Sequence, residues 1–464
     1  MTSARTLAAV WSAKAAAGAS RALGRGGGTA VGGLVGLSLQ PALVRDLAGG
    51  LGHGSVLISG TNGKTTTASL VSATVEAAGL QPLANASGSN LMRGIAATLT
   101  AAAGPTGRAA AADRRLGVFE VDEATLPYAL RDLRPRVVVL TNLFRDQLDR
   151  YGEVESLTRL WRESLEAAPP DLALVLNADD PTVASLGEGR DNVLYFGLAD
   201  AALDRGSLDH ASDAVTCGCG TPYTFSRVYF SQLGIWHCDG CGRARPEPSV
   251  TATNVAVGDG HSLRFQLVTP DGGEQIEMAL GGLYNVYNAL AAAAAAHALG
   301  LPAAATTAAL QSAAAAFGRQ ESFAVDGKRV DLFLAKNPAG LNQVLATLCL
   351  DPGRDAALII LNDGIADGRD VSWIWDADFE VAAGQFGATV AAGRRAADLA
   401  LRLKYAEWPE PSFGVEPAVP AALDAALART PAGGSLSIVP TYTAMLEVRA
   451  LLAKRAGRAP FWQQ

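Results

Sequence analysis

Lysine is absent from a long central stretch: none occurs between Lys64 and Lys328, although arginine is plentiful on both sides and within it. Cysteine and histidine are equally scarce, at five each, which excludes a disulfide-dense secreted scaffold. No run reaches the roughly 18–20 uninterrupted apolar residues that span a bilayer. Positive charge is also short, with 38 Lys and Arg against 45 Asp and Glu and a net charge of −7. That balance argues against broad, nonspecific nucleic-acid binding, and no nucleic-acid partner is expected. The N-terminal stretch mixes Ala and Leu with Arg5, Lys14, Arg21 and Arg25 before Gly26-Gly27-Gly28. It lacks the long apolar core and cleavage site of a secretory signal, so a cytoplasmic protein is expected. Residues 1–53 then read as a helical segment packed on the next domain, with a basic face toward substrate or a membrane surface.

What the chain does contain is a repeated strand–turn–helix rhythm. With 464 residues, 49% of them hydrophobic and 18% charged, it is long enough for two to four domains. The pattern is most informative at residues 55–69. Val56, Leu57 and Ile58 form a short apolar run, as expected of a strand buried in a parallel sheet. Gly60 and Gly63 allow a tight turn, and the stretch from Ala68 to Ala78 reads as a helix whose N-terminus faces that turn. Backbone N–H groups and the positive end of the helix dipole therefore converge where a polyphosphate would sit. Gly60, Thr61, Asn62, Gly63, Lys64, Thr65 and Thr66 are the candidate ATP cradle. Lys64 supplies a compact charge for the outer phosphates and Thr65 a hydroxyl for Mg2+. The spacing is shorter than G-x-x-x-x-G-K-[ST], because Gly60 lies only three residues before Gly63. The lysine gap strengthens this reading, since a chain that otherwise uses arginine places a lysine in this loop.

Further polar turns follow apolar strands. Leu116 to Val121 leads into Glu120, Asp122 and Glu123, of which Glu120 is the magnesium candidate and the other two read as caps of the next helix. Arg136 to Leu140 leads into Thr141-Asn142-Leu143, and Leu172 to Leu176 into Asn177-Ala178-Asp179-Asp180. Such alternation predicts a mostly parallel sheet with helices on both faces, an α/β fold with a P-loop. The rhythm breaks at Cys217-Gly218-Cys219 and Cys238-Asp239-Gly240-Cys241. Two close cysteine pairs on glycine-bearing turns, separated by a β-type segment, match a four-cysteine Zn2+ ribbon inserted at about 205–250. Two disulfides are the competing reading, disfavoured in a reducing compartment. Four thiolates leave no open coordination position, so the ribbon is structural or a docking surface.

Antiparallel strands are expected between Ser249 and Leu280, followed by a long alanine-rich helix opened by Asn285 and Asn288 on one face. Residues 315–321 read as a hinge between a central domain, 54–316, and a C-terminal α/β domain, 317–464. Within the latter, Asn362 to Asp376 carries Asp363, Asp367, Asp370 and Asp376 together with Trp373 and Trp375. Tryptophan seeks a packed or ligand-facing site, so this is read as a functional loop. Ser437 to Val439 and Thr441 to Met445 are expected to close the second sheet.

Taken together, Gly60 to Thr66, Phe119-Glu120-Val121, Thr141-Asn142-Leu143 with Asp146 and Asp149, Asn177 to Asp180, Tyr284 to Ala289, and Gly318 to Glu321 resemble the Mur ligase family. These enzymes form amide bonds with ATP by activating a carboxylate as an acyl phosphate. The resemblance implies that Lys64 and Thr65 hold phosphates and Mg2+, that Glu120 helps hold Mg2+, and that Asn285, Asn288 and Arg319 approach the nucleotide. Two departures stand out. Asp146-Gln147-Leu148-Asp149 has Gln147 where the family usually has histidine, and the lysine gap leaves no site for a carbamoylated lysine. The second metal site of the family is therefore altered or absent.

The inserted ribbon, Lys336-Asn337-Pro338 and the 367–376 loop resemble more narrowly the MurT branch, the synthetase subunits of lipid II isoglutaminyl synthases. This implies amidation of the α-carboxylate of D-glutamate in the lipid II stem peptide, with ammonia supplied by a GatD-type glutamine amidotransferase subunit. It also implies that an aspartate of the last domain, Asp370 first and Asp367 second, completes the partner's catalytic triad. The residues agree with an external ammonia source, because Cys349 lacks the glycine-flanked setting of a glutaminase nucleophile. Two other readings stay open: a ligase that adds a whole amino acid, for which Arg369 is the candidate carboxylate clamp, and a non-catalytic nucleotide-binding scaffold that docks through the ribbon.

Overall fold

The computed structural model describes residues 3–22, 29–85, 88–107, 112–145, 154–208, 212–258, 262–313, 319–350, 354–410 and 413–457, the side chains of 29, 30, 319 and 320 excepted. The Asp146-Gln147-Leu148-Asp149 run, Gly318 and the Arg319 side chain lie outside the described residues.

Three helices come first: α1 (Ala4–Ala22), α2 (Thr29–Leu39) and α3 (Leu43–Ala48). The first sheet then begins with β1 (Ser55–Ser59), α4 (Lys64–Ala77), β2 (Gln81–Ala84), α5 (Met92–Ala102), β3 (Arg115–Glu120), α6 (Leu126–Leu133) and β4 (Val137–Leu140). It continues through α7 (Val154–Glu166), β5 (Ala173–Asn177), the short α8 (Pro181–Ala184) and β6 (Val193–Leu198). A two-stranded hairpin, β7 (Thr224–Phe230) and β8 (Leu233–His237), is set apart. Next come β9 (Val250–Gly258), β10 (Ser262–Thr269), β11 (Gly272–Met278), α9 (Leu283–Leu299) and α10 (Ala303–Gln311).

The nine strands run in the order β11-β10-β9-β6-β5-β4-β1-β3-β2. All pairs from β2 to β9 are parallel, while β9, β10 and β11 form an antiparallel edge. Burial on both faces explains the unbroken apolar strands: Val56, Ile58, Val137 and Val139 join one core, and Leu57, Val138 and Leu140 the opposite one. Buried alanines 291–296 let α9 lie close against the first of these faces. β1 sits between β3 and β4, where the strand order reverses, and the carboxyl end of that strand is where ligands bind in such sheets.

A second sheet, β12 (Arg319–Val325), β13 (Lys328–Phe333), β14 (Arg354–Ile360), β15 (Phe386–Ala392), β16 (Phe413–Glu416) and β17 (Ser435–Pro440), has the order β12-β13-β17-β14-β15-β16. Only β12 is antiparallel to its neighbour. Helices α11 (Pro338–Cys349), α12 (Ala396–Tyr405), α13 (Val419–Arg429) and α14 (Tyr442–Arg455) cover it, with separate cores on its two faces.

Two local expectations are corrected. The phosphate-loop helix starts at Lys64, four residues before Ala68, because Gly63 takes φ +87° and turns the chain directly into the helix. Thr441 to Met445 does not extend a strand. Thr441 is the N-cap of α14, whose inward side is set by Ala444, Met445, Val448 and Leu452 at helical spacing, so the β-favouring Thr-Tyr-Thr run is overridden by packing.

Candidate nucleotide-activating site

The loop between β1 and α4 is clamped from the neighbouring strand. Asn62 N–H donates to Asn142 Oδ1 (2.9 Å), while Asn142 Nδ2 and Thr141 Oγ1 both donate to the Asn62 carbonyl (3.1 and 2.8 Å). Thr61 Oγ1 donates to the Phe144 carbonyl and receives the Phe144 N–H. A Cβ at Gly60 would lie 2.2 Å from Thr141 Oγ1, and one at Gly63 would lie 2.1 Å from Asn288 Oδ1. Both glycines have positive φ, so neither position accepts a side chain.

Lys64 is buried and its ammonium is held by the carbonyls of Gly60 and Thr61 and by Glu123 Oε1, the last at 2.8 Å. Thr65 Oγ1 donates to Glu120 Oε2 at 2.8 Å. The loop therefore places one cation, one hydroxyl and two carboxylates at the end of β1 and β3. Glu123 is thus not a solvated helix cap, as its position in the sequence suggested. It is the counter-ion of Lys64, turned inward because β3 ends at Glu120 and the chain bends before α6. Asp122 is also buried, and its carbonyl receives the Thr125 and Leu126 N–H groups.

Asn285 and Asn288 lie on the inner side of α9, both buried, with Asn288 Nδ2 donating to Asn285 Oδ1 (2.9 Å) and Asn285 Nδ2 to the Gly281 carbonyl (2.7 Å). They line a cavity together with Asn62, Gly63 and Thr66 of the phosphate loop. The opposite wall is built from the second α/β unit: Phe333 at the end of β13, Lys336 in the following loop and Gln343 on α11. Across this cleft Asn337 Nδ2 donates to Asn62 Oδ1 (3.1 Å) and Asn62 Nδ2 to Asn337 Oδ1 (3.4 Å). The same Asn337 Oδ1 accepts the Gly340 N–H and so caps α11. An apolar cavity with a few convergent polar groups, formed between two α/β units and ending on a phosphate-type loop, has the form of a nucleotide site.

Beneath the cavity, Asp179 is fully buried and accepts from Arg245 Nε (2.6 Å), Tyr287 OH (2.6 Å) and the Leu198 N–H (2.9 Å). Burial raises its carboxyl above the usual range, with Arg245 opposing that shift. Asp180, equally buried, accepts the N–H groups of Leu143, Thr182 and Val183, and burial still pushes it up to about 6. The Asn-Ala-Asp-Asp run is therefore a buried knot tying α9 to the inserted hairpin.

In that insertion the sulfurs of Cys217, Cys219, Cys238 and Cys241 all lie within 4.8 Å of one another. Cys217 and Cys241 are 3.6 Å apart and Cys219 and Cys238 3.5 Å, too far for a disulfide of about 2.05 Å. Thiolates at about 2.3 Å from a tetrahedral ion would be separated by about 3.8 Å, so the four fit a closed four-sulfur site.

At the carboxyl end of β14 the two candidate aspartates differ. Asp367 is buried and accepts from the Thr443 N–H, the Thr443 hydroxyl and the Gly364 N–H, which ties its loop to the start of α14. Asp370 is exposed and accepts the Ser372 N–H (2.8 Å); hydrogen bonding to the side chain and backbone of Ser372 lowers its carboxyl below the usual range. Nearby, Asp376 pairs with Arg145 of the first sheet at 3.5 Å.

Comparison with known proteins agrees with this geometry. Residues 58–225 match the Mur ligase middle domain, and residues 334–445 match the MurT ligase C-terminal domain. Subunit MurT of the glutamine-hydrolyzing lipid II isoglutaminyl synthase of Staphylococcus aureus (strain COL) is 34% identical over 406 residues, covering 87% of this chain and 88% of that one. The chain belongs to the MurT family. The corresponding subunit of Streptococcus pneumoniae (strain ATCC BAA-255 / R6) is 33% identical over 434 residues, 93% of each chain. Among solved structures, a pseudomurein peptide ligase type C from Methanothermus fervidus superposes with a TM-score of 0.66 at 22% identity, over 86% of this chain and 78% of that chain, a likeness of fold.

Within a MurT-family chain, the residues that pattern reading missed are Glu123, Asn142 and Asn337. Glu123 carried a signal, since it is the third carboxylate after one strand. Asn142 and Asn337 lay in quoted motifs, but only the tertiary fold brings both to Asn62.

Proposed function

We propose that this chain is the ATP-dependent synthetase that amidates the α-carboxylate of D-glutamate in the lipid II stem peptide, giving D-isoglutamine. The observation that carries this reading is the β1–α4 loop of a MurT-family chain, where Lys64 is buried against Glu123 and Thr65 bonds Glu120, while Asn62, Gly63 and Thr66 of the same loop line a cavity shared by two α/β units.

In this reading Gly60 to Thr66 bind the polyphosphate through backbone N–H groups and the N-terminus of α4. Lys64 exchanges its Glu123 contact for the outer phosphates and neutralises charge as the γ-phosphoryl moves. A carboxylate oxygen of the substrate attacks the γ-phosphorus and ADP departs. Ammonia then attacks the acyl carbon, inorganic phosphate leaves with the C–O bond, and a proton is lost to give the amide. Thr65 and Glu120 offer hard oxygen donors that would hold Mg2+, which would supply neutralisation of phosphate charge. Asn285 and Asn288 face the nucleotide from α9, and Arg319 is the candidate nucleotide contact from the last domain. The four cysteines hold a structural Zn2+. Ammonia comes from a GatD-type glutaminase, and Asp370 rather than the inward-facing Asp367 orients that partner's histidine, because only an exposed carboxylate reaches a second chain. The reaction takes place on the cytoplasmic side, where lipid II is made.

The test is mass spectrometry of lipid II after incubation with the chain, ATP, Mg2+ and ammonium chloride, alone and with the glutaminase subunit. Conversion of carboxyl to amide lowers the mass by about one unit, and Lys64→Ala abolishes it if phosphoryl transfer drives the step. A gain of one amino-acid residue instead would establish the amino-acid-adding alternative, and no product in either setting would reject the reading.

A further inference from the structure

Helix α2 has no charged residue, yet it lies on the surface. Its glycines all face inward. A Cβ on Gly33 would lie 1.7 Å from the Arg93 carbonyl oxygen of α5, one on Gly32 2.9 Å from the Ala13 carbonyl of α1, and one on Gly36 2.6 Å from a Leu43 methyl of α3. The helix is therefore seated in one rotation, and its outward side is fixed. That side presents Val31, Leu34 and Leu39, which are 45%, 58% and 43% exposed. Its polar member, Ser38, spends its hydroxyl on the Leu34 carbonyl (2.8 Å). A surface helix of a globular protein ordinarily carries its charged residues on this side.

The charge around it is one-sided. Helices α1, α2 and α5 contain no Asp or Glu but carry Arg5, Lys14, Arg21 and Arg93, in a chain whose net charge is −7. Arg5 Nε donates to the Leu39 carbonyl, which places a guanidinium at the end of the apolar stripe. The carboxylate nearest in the chain, Asp46 of α3, is engaged by Thr6 and Gln40. No helix among the described residues is long and apolar enough to cross a membrane, so any membrane contact through these helices is peripheral.

We infer that the outward face of α2 rests on the surface of an anionic lipid bilayer, with Val31, Leu34 and Leu39 entering the headgroup–acyl boundary and the flanking arginines meeting lipid phosphates. The fit is that of an interfacial helix: apolar side chains without competing polar groups, ringed by cations. This rests on the proposed amidation in one respect, that a lipid-linked substrate gives the chain a reason to be at that surface. A protein partner would match the apolar stripe equally well. It is the positive charge of α1 and α5, which carry four cations and no carboxylate beside the uncharged α2 in a chain of net charge −7, that selects anionic lipid.

The experiment is flotation of the full-length chain with vesicles of phosphatidylcholine alone or mixed with phosphatidylglycerol, without nucleotide or lipid II. The chain floats with the anionic vesicles, less so at high salt, and Leu34→Glu lowers the partition constant about tenfold, the effect of withdrawing one partly buried leucine. Leu401→Glu, at a leucine of α12 that is 49% exposed, leaves flotation unchanged, and circular dichroism verifies that both variants fold. Leu34→Ser, which adds no charge, lowers binding in the same direction. Failure of the unaltered chain to float, equal flotation of Leu34→Glu, or a dimer that Leu34→Glu dissolves without any vesicle binding would each overturn the inference. Because the vesicles contain no substrate, flotation is read independently of amidation. Amidation of a soluble stem-peptide substrate by Leu34→Glu stays at the unaltered level, and absence of all product there would count against the amidation reading alone.

Discussion

Lys64 and Glu123 form an ion pair of 2.8 Å with both side chains buried, so the lysine of the β1–α4 loop has a fixed counter-ion of its own. In the proposed reading, nucleotide binding is an exchange of partners within a site of low dielectric, where an unpaired charge is costly. Glu123→Gln removes the competitor but keeps an acceptor. The nucleotide-free protein is expected to lose about 1–3 kcal/mol of stability, and its stabilisation by ATP and Mg2+ to exceed that of the unaltered chain. Thermal unfolding with and without nucleotide measures both. Equal nucleotide shifts in the two proteins would show that Glu123 does not compete for Lys64.

The Asn62–Asn337 pair joins the two halves of the cavity. Asn337→Asp retains the acceptor that caps α11 through the Gly340 N–H but loses the donor to Asn62 Oδ1. The expected outcome is nearly unchanged unfolding and a KM for ATP raised about two- to tenfold, the effect of one hydrogen bond. Steady-state kinetics with varied ATP checks this, and an unaltered KM would remove Asn337 from the nucleotide site.

Zinc analysis of the purified chain should give about one ion per chain, lost on Cys238→Ser. The hairpin is tied to the first sheet by Trp236 Nε1 to the Ala178 carbonyl, the Gly234 N–H to the Asp179 carbonyl, and Arg245 to Asp179. Metal removal is therefore expected to raise hydrogen exchange in the insertion first, with β1 and β4 keeping their protection. Cysteines recovered as disulfides under non-reducing mapping would contradict the closed metal site.

Asp180 gives the pH dependence. Its folded pKa, pushed up to about 6 by burial, lies above the unfolded value, so its contribution is fully present below about pH 4 and is lost as pH rises through about 6. A rise from the ordinary aspartate value to about 6 corresponds to about 3 kcal/mol. Against Asp180→Asn, which does not titrate, the unaltered chain should lose relative stability by an amount of that order between pH 4 and 7. Denaturant midpoints across that range test it, and a flat difference would mean that burial does not raise the folded pKa of Asp180 above its unfolded value.

The parallel core of the first sheet was legible because strands buried on both faces need continuous apolar runs, as in Val137 to Leu140. The phosphate loop was legible for a different reason: glycine at positive φ and a lone lysine are local requirements written in local sequence. Glu123 was misread because one bend after Glu120 decides whether a carboxylate meets water or Lys64. Thr441 to Met445 was misread because strand propensity in three residues yields to the packing of a whole helix. The partnership of Asn62 with Asn142 and Asn337 joins three distant segments, and no periodicity encodes it. The two loop aspartates were equivalent in sequence, and only the position of Thr443 turns Asp367 inward and leaves Asp370 outside.

The central claim, that this site activates a carboxylate by phosphoryl transfer, is tested most directly by isotope transfer. Stem-peptide substrate labelled with 18O in both oxygens of the D-glutamate α-carboxylate would be amidated with ATP, Mg2+ and ammonia, and the inorganic phosphate analysed by mass spectrometry. An acyl phosphate requires one 18O to leave with each phosphate, in step with amide formation. Amide formed while the phosphate carries no 18O would contradict the account.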